Sequence, residues 1–372
     1  MSIAAYLTAT LHGNAPPWPA ESETFAQQFL QFATQHGIAP LLNHLCAEQQ
    51  LGEKWPEAVR QPLKAAARQE AIIELLRQQN LSQLLEKMQQ QAIHPILLKG
   101  AALSHTHYPT TGLRPRCDTD LLIPKEAQPT LFALLREEGY QSLFQANSDY
   151  HSSQASFSKK GRGNLTHAYD IHWQISNTTT RFNQRMNYAT ITQRALPIPE
   201  LGSNARTLNP ADALLLACFH RAGHLAFSGE RLIWLYDIHL LASTLTNSEW
   251  QTVIDQAKEL EIGEILRDAL QKSQQWFNTS IAQQRFDALA QLPDQEPSAV
   301  LLHQHGITGR RARAFFELKT ATRLRDKTRY ILQNIFPSVS YMKWRYGIQQ
   351  GYKLPLYYLY RLALSFRVLI GR

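Results

Sequence analysis

The sequence predicts an α+β fold in which a small mixed sheet is flanked by N-terminal and C-terminal helical regions. Before residue 91, apolar residues recur three and four positions apart, a spacing typical of amphipathic helices. Between residues 92 and 205, short apolar strands alternate with helices, and long helical patterns return after Pro210. We therefore predict four regions: helical 1–91, an α/β core at 92–205, a helical region at 206–300 that packs on the core, and a basic, aromatic-rich helical region at 301–372.

The N-terminal region is predicted to form helices over 21–36 and 39–50, followed by a glutamine-rich pair of helices between Trp55 and Gln90. Its leucine periodicity argues against disorder despite the glutamines. The apolar positions predicted to form one buried stripe are Ile72, Leu75, Leu76, Leu81, Leu84 and Leu85. This region is interpreted as a packing partner of the core or a wall on the substrate side.

The core is predicted to contain strands at Ile96–Leu98, Asp118–Pro124 and Tyr169–Ile175, and a helix at Gln128–Glu138. The Ser-, Lys- and Gly-rich segment 148–164 is interpreted as a loop or a hairpin near the site. A mixed α/β unit with helices on one side of its sheet follows from this alternation.

Beyond Pro210, a helix is predicted over 212–226 with His220 and His224 at positions i and i+4, the spacing of two metal ligands on one helical face. The run His-Arg-Ala-Gly-His lacks the glutamate that a zinc peptidase requires after its first histidine. We therefore expect His220 to be a packed or hydrogen-bonded histidine that faces Asp237 of the next helix and braces the core, with contact to a bound nucleotide as the alternative.

Two aspartates are the first candidates for chemistry. Asp118 and Asp120 are separated by one residue on the second predicted strand, so both carboxylates project from the same face. Two neighbouring carboxylates repel each other, and an oxygen-preferring cation between them relieves that repulsion. The pattern indicates a Mg²⁺ or Mn²⁺ site, whereas a solvated strand end is the simpler interpretation of the same triplet.

Cationic residues close to the aspartates favour the metal interpretation. Arg114 and Arg116 flank a proline just upstream, and guanidinium groups bind phosphate in a planar, bidentate geometry. Lys99 adds a further cation, and Gly100 lets backbone N–H groups approach a phosphate at a helix N-terminus. We predict that these four residues bind the phosphates of a nucleotide.

Asp170, on the third predicted strand, offers another carboxylate. If this strand pairs beside the strand of Asp118 and Asp120, the three carboxylates form a cluster able to hold two metal ions. A solvated position on the strand is the alternative for Asp170.

The runs Leu97–Ala102, Gly112–Ile123 and Asp170–Trp173 read Leu-Leu-Lys-Gly-Ala-Ala, Gly-Leu-Arg-Pro-Arg-Cys-Asp-Thr-Asp-Leu-Leu-Ile and Asp-Ile-His-Trp. Together they resemble the bacterial family of uncharacterised nucleotidyltransferases, which belongs to the DNA polymerase β-like nucleotidyltransferase superfamily. The resemblance extends over most of the chain, through Leu208–Asp212 and Trp234–Asp237 into the C-terminal helices.

This resemblance implies that Asp118 and Asp120 are the metal-binding pair and that Asp170 is the third carboxylate. Gly100, preceded by Lys99, takes the place of the superfamily's Gly-Ser or Gly-Gly turn, and the serine that usually helps to bind phosphate is absent. The function implied is Mg²⁺-dependent transfer of NMP from an NTP to an acceptor, which is a sugar, a glycan, RNA or a protein. A non-catalytic scaffold on a degenerate transferase fold is a second interpretation, and a nucleic-acid-binding protein is a third.

The charge distribution bears on partners and location. The net charge of +8 comes entirely from residues 310–372, which alone carry +12, and aromatic residues are interspersed there. Such a segment suits nucleic acid or an anionic membrane surface, and a basic helical subdomain with a solvated outer face is the simpler interpretation. Three widely separated cysteines, of which Cys117 is interpreted as a core residue, favour a reducing cytoplasm. No secretory signal or membrane span is apparent, and we expect a cytoplasmic protein with an option of peripheral contact at the inner face of the membrane.

Overall fold

The computed structural model describes residues 1–14, 16–19, 22–48, 54–142, 153–161, 163, 165–176, 181–292, 296–302, 315, 318–319, 324–337 and 339–370. Its helices are α1 Ile3–Leu11, α2 Ser22–Gln35, α3 Ala39–Glu48, α4 Glu57–Gln90, α5 Lys99–Thr106, α6 Gln128–Glu137, α7 Arg181–Arg185, α8 Tyr188–Thr192, α9 Pro210–Ser228, α10 Leu232–Thr244, α11 Asn247–Leu260, α12 Gly263–Phe277, α13 Gln283–Ala290, α14 Leu324–Ile335, α15 Val339–Tyr346 and α16 Leu354–Ile370. Its strands are β1 Ile96–Leu98, β2 Thr119–Leu122, β3 Gln141–Ser142, β4 Gln154–Lys160, β5 Thr166–His172, β6 Leu196–Pro197 and β7 Arg206–Thr207.

The seven strands form one mixed sheet in the order β3-β4-β5-β2-β1-β7-β6. β2 lies at its centre, antiparallel to β1 and parallel to β5, while β4 runs antiparallel to β5. The sheet therefore places Leu98 of β1, Asp120 of β2, Asp170 of β5 and Ser156 of β4 in one row, although long stretches of chain separate them in sequence.

The two faces of the sheet contact different hydrophobic clusters. Leu98 and Leu122 belong to a large cluster that joins the N-terminal helices to α9, α10, α11 and α12. Leu97 and Leu121, which point the opposite way, belong to a smaller cluster with the end of α4 and with α6. Since side chains alternate along a strand, Asp120 lies on the face that carries the large cluster, towards α9 and α10.

The predicted α+β class is confirmed, with a seven-stranded mixed sheet. The expectation of helices on one side of the sheet is wrong, because helices pack against both of its faces. β1 has the predicted bounds, β2 is shorter than the predicted strand, and β5 begins and ends three residues earlier than expected. Part of the segment interpreted as a loop or a hairpin is β4, which pairs with β5 along its whole length. Residues 148–152 of that segment lie outside the described residues.

Two expectations about the N-terminal region are wrong. The predicted pair of glutamine-rich helices is one continuous helix, α4, of 34 residues. Ile72 and Leu75 are 63% and 68% exposed, whereas Glu74 on the same helix is buried. An ion pair with Arg116 compensates the buried carboxylate, and apolar spacing alone does not reveal that partner.

The large cluster contains residues of both the 1–91 and the 206–300 regions, so these two helical regions share a core. The division of the chain into four regions stays a prediction. Within the described residues, no helix combines the length and the hydropathy that crossing a bilayer demands.

Candidate active site

Asp120 and Asp170 occupy paired positions on the parallel strands β2 and β5. On the other side of β2, Asp120 pairs with Leu98, the last residue of β1, so that Lys99 follows directly beside it. The Nζ atom of Lys99 donates a hydrogen bond to Oδ1 of Asp120 at 2.6 Å. Nε2 of His172, which is two residues beyond Asp170 on the same face, donates to that oxygen at 2.8 Å.

The carboxylate of Asp170 is oriented by β4. Oγ of Ser156 donates to Oδ1 of Asp170 at 2.5 Å, and Nε2 of Gln154 donates to Oδ2 at 2.9 Å. Ser156 is the register partner of Asp170, so β4, in the segment interpreted as a loop or a hairpin near the site, orients the third carboxylate.

Asp118 precedes β2 and interacts electrostatically with the other two aspartates. Burial, together with repulsion by Asp120 and Asp170, raises the pKa of Asp118 to about 6. Burial also acts to raise the pKa of Asp120, but Lys99 and His172 outweigh it and hold that pKa well below its usual value. Neighbouring groups of the protein thus stabilise the ionised form of Asp120 but not that of Asp118.

Two of the three predicted aspartates, Asp120 and Asp170, form with His172 a group that fits a divalent cation. Ligand atoms of Asp120, Asp170 and His172 lie within 4.8 Å of one another, and the raised pKa of Asp118 marks negative charge that the neighbouring cations do not fully offset. Nδ1 of His172 is buried without a hydrogen-bond partner among the described residues. Carboxylate oxygens are the ligands that Mg²⁺ and Mn²⁺ prefer.

Gly100 lies against a side chain. A Cβ atom at this position would stand 3.1 Å from Cζ of Arg114, tighter than nearly all real Cβ contacts. The absence of a side chain at Gly100 therefore accommodates the close approach of the guanidinium to the start of α5. The preceding residue, Lys99, has a positive φ of 52°, a conformation that non-glycine residues rarely adopt and that is often found at functional sites.

Both predicted phosphate-binding arginines are engaged by carboxylates. Nε and Nη2 of Arg114 donate to the two carboxylate oxygens of Asp237 at 2.7 and 2.6 Å, and Tyr108 donates to the same carboxylate. Arg116 makes a bidentate pair with Glu74 at 3.0 and 2.9 Å. These arginines fix the loop before β2, and their binding of phosphate stays a prediction.

A cleft of about 590 Å³ opens over the carboxylates, a size typical of small-molecule sites. All seven predicted site residues line it: Lys99, Gly100, Arg114, Arg116, Asp118, Asp120 and Asp170. The cleft is also lined by residues of α9 and α10, including His220 and Trp234, and by Arg231 just before α10.

Around the cleft, the interpretation of Cys117 is wrong, and that of His220 holds for its packing but not for its contact with Asp237. Asp237 binds Arg114 and Tyr108, whereas the ring of His220 packs 5.4 Å from that of Trp234 and 4.4 Å from that of His224. Burial, with a further contribution from Lys99, lowers the pKa of His220 well below its usual value. Cys117 was interpreted as a core residue but is exposed at the edge of the cleft.

Sequence reasoning missed four contributors to the site: Glu74, Gln154, Ser156 and Arg231. None belongs to a recognisable motif, and their roles depend on contacts between distant parts of the chain. His172 belongs to no predicted ligand set, although its i+2 spacing from Asp170 on β5 places it on the same face.

No curated protein matches this chain. A model of the family described as uncharacterised nucleotidyltransferase matches residues 22–278, which is more than half of the chain and includes every residue that lines the cleft. The match and the carboxylate-lined cleft agree, and the protein belongs to the uncharacterised nucleotidyltransferase family.

Proposed function

We propose that the protein is a Mg²⁺- or Mn²⁺-dependent nucleotidyltransferase that moves NMP from an NTP to a hydroxyl or phosphate group of an acceptor. The observation that carries this proposal is the pairing of Asp120 with Asp170 on adjacent parallel strands, facing a cleft. Asp118 adds a third carboxylate to the same negative centre. Family membership supports transferase chemistry in general.

In this proposal Asp118, Asp120 and Asp170 hold the metal. When bound, the metal polarises the α-phosphate and lowers the pKa of the acceptor hydroxyl. His172 keeps Asp120 ionised and fixes its orientation, because it donates to one carboxylate oxygen at 2.8 Å. Ser156 gives Asp170 a comparable constraint.

Lys99 and Gly100 begin α5 at the floor of the cleft, and we assign Lys99 to the triphosphate. Its ammonium group is within reach of both the carboxylates and the open cleft, where phosphate oxygens compete for it. The acceptor oxygen attacks the α-phosphorus, the bond from that phosphorus to the bridging oxygen breaks, and pyrophosphate leaves. The acceptor proton passes to solvent, so atoms and charge balance.

The decisive experiment measures transfer from each of four α-³²P-labelled NTPs, with Mg²⁺ or Mn²⁺ and a cell extract as the acceptor pool. Wild type is compared with Asp170→Asn and with Asp255→Asn, a control on α11 whose carboxylate hydrogen-bonds Gln251 outside the cleft. We expect a labelled product with wild type and Asp255→Asn but not with Asp170→Asn. Absence of both product and metal-dependent NTP binding in the wild type would refute the proposal and favour a non-catalytic scaffold.

The C-terminal helices support a second role, contact with an anionic membrane surface. Tyr352, Leu356, Leu359 and Tyr360 are each more than half exposed at or near α16. They lie within a segment whose net charge is +12 between residues 310 and 372. Exposed leucines favour lipid over nucleic acid, because insertion of apolar side chains adds to electrostatic attraction at an interface.

Co-sedimentation with vesicles tests this role. We expect the protein to bind phosphatidylglycerol-containing vesicles but not pure phosphatidylcholine, and Leu356→Glu/Leu359→Glu to lose binding. A different outcome would be that the wild type does not bind vesicles, and that wild type and double variant both bind an RNA oligonucleotide in a salt-sensitive way. That outcome would contradict the membrane role and assign the C-terminal helices to nucleic acid.

A further inference from the structure

Three cations on the cleft are already neutralised by carboxylates. Lys99 contacts Asp120 at 2.6 Å, Arg114 contacts Asp237 at 2.6 Å, and Arg116 contacts Glu74 at 2.9 Å. The salt bridges of both arginines are buried, so the charge of each guanidinium is largely satisfied before any substrate enters. A further positive charge is needed for a site that attracts a polyanion.

Arg231 supplies such a charge. It precedes α10 and lines the cleft, and within the described part of the chain its side chain makes no hydrogen bond and no ion pair. Its Nε atom is buried without a partner. A buried unsatisfied donor is unfavourable, and a ligand that accepts its hydrogen bond removes that penalty.

The position of this guanidinium is built into the fold. Its Cζ atom lies 5.5 Å from the ring centre of Trp234, and its Nη2 atom stands 3.0 Å from where a Cβ of Gly37 would be. Gly37 has a φ of +70°, so both its backbone and its lack of a side chain suit this close approach. The guanidinium is thus supported on two sides.

The electrostatic surroundings of Arg231 favour an anion. Burial, and then the nearby charge of Arg114, lower the pKa of Arg231 below its usual value. A bound anion would offset the repulsion between the guanidinium groups of Arg231 and Arg114.

We propose that Arg231 binds a phosphoryl group of the substrate, as a cation of the cleft that has no ion-pair partner among the residues the structure describes. This assignment rests on the proposed function. A guanidinium matches phosphate oxygens in a bidentate geometry, which suits either the triphosphate of the nucleotide or a phosphate on the acceptor. It gives α10, which follows Arg231, a direct role in substrate recognition.

The test uses calorimetric binding of ATP, inorganic tripolyphosphate and adenosine, each with Mg²⁺, to the full chain. The variants are Arg231→Met, Arg231→Lys and the control Arg285→Met, in which the arginine lies 6.0 Å from the Trp250 ring, outside the cleft. Loss of one charge-assisted contact weakens binding about tenfold or more. We expect Arg231→Met to show that loss for ATP and tripolyphosphate but not adenosine, with partial recovery in Arg231→Lys.

A separate titration identifies the source of the phosphate. Inorganic phosphate is titrated into the ATP-bound forms of wild type and of Arg231→Met. If Arg231→Met binds ATP normally, and only the wild type then binds inorganic phosphate, the phosphoryl group at Arg231 belongs to the acceptor. Unchanged binding of all four probes in a folded Arg231→Met protein would overturn the proposal, even if transfer is confirmed. Arg231-dependent binding of tripolyphosphate, with neither nucleotide transfer nor metal-dependent NTP binding in the wild type, would refute the proposed function and leave the anion site standing.

Discussion

Asp120 and Asp170 lie side by side on parallel strands, yet their hydrogen-bond partners differ in charge. Asp120 contacts Lys99, a cation, and His172, whereas Asp170 accepts hydrogen bonds from the neutral groups of Ser156 and Gln154. The protein therefore neutralises one of the paired carboxylates and leaves most of the remaining negative charge facing the cleft. That residual charge is what a divalent cation would compensate.

This asymmetry predicts opposite stability effects for two similar substitutions. Asp118→Asn removes a repelled, partly buried carboxylate and should raise the metal-free free energy of unfolding at neutral pH by about 1 kcal/mol. Asp120→Asn leaves Lys99 without its counter-charge and should lower the metal-free free energy of unfolding by about 2–4 kcal/mol. Urea unfolding of both variants measures this, and both should lack nucleotide transfer. Equal destabilisation by the two substitutions would contradict the electrostatic assignment.

The raised pKa of Asp118 predicts pH-dependent metal binding. Because its pKa in the folded protein is about 6, the proton must be displaced by a metal below that pH, while Asp120 is ionised throughout. Mn²⁺ affinity should fall about tenfold per pH unit below about pH 6 and level off above it. Without metal, the raised pKa of Asp118 contributes stability to the fold that is fully present below about pH 4. This contribution to the free energy of unfolding is lost as the pH rises through about 6.

Thermal shifts induced by Mn²⁺ at about pH 5 and about pH 7.5 measure this effect, with Asp118→Asn as the variant that should show little difference between the two conditions. A wild-type shift of the same size at both pH values would exclude Asp118 as the titrating ligand.

The sequence predicted the parts of the site that depend on local spacing. Asp118 and Asp120 both line the cleft, and Lys99 reaches Asp120 because β1 ends immediately before it, beside Asp120. Glu74 and Arg231 were missed because their significance comes from neighbours distant in sequence. The single helix α4 was also missed, since its apolar positions are exposed near the middle and buried only towards its ends.

Arg114 is expected to contribute more to stability than an exposed arginine does. Its bidentate pair with Asp237 is buried, so Arg114→Met leaves an uncompensated carboxylate and should lower the free energy of unfolding by about 3–5 kcal/mol. Asp237→Leu should have a comparable effect. The double variant should lose much less stability than the sum of the losses in the two single variants, because it removes both charges together. Additive losses in a double-mutant cycle would show that the pair is not coupled.

Gly100 links the start of α5 to the same arginine, and two glycine substitutions isolate that contact. In a helix, Gly→Ala normally stabilises by up to about 1 kcal/mol, and Gly223→Ala on α9 should do so, because a Cβ there meets no atom within 4 Å. Gly100→Ala would place Cβ 3.1 Å from Cζ of Arg114, which Asp237 prevents from moving freely. The packing strain in Gly100→Ala should exceed the stabilisation gained from alanine in a helix. The free energy of unfolding should therefore fall by about 1–2 kcal/mol.

Thermal unfolding of both variants, and of Gly100→Ala combined with Arg114→Met, tests this contact. If strain against the guanidinium is the cause, Gly100→Ala should be nearly neutral once Arg114 has been replaced by the flexible methionine. A loss of the same size in both backgrounds would instead assign the requirement for glycine to the backbone at the start of α5, where the preceding Lys99 already has a positive φ. The first result would make Gly100 a packing residue of the Arg114–Asp237 pair, so that any approach of phosphate to α5 has to use space beside the arginine.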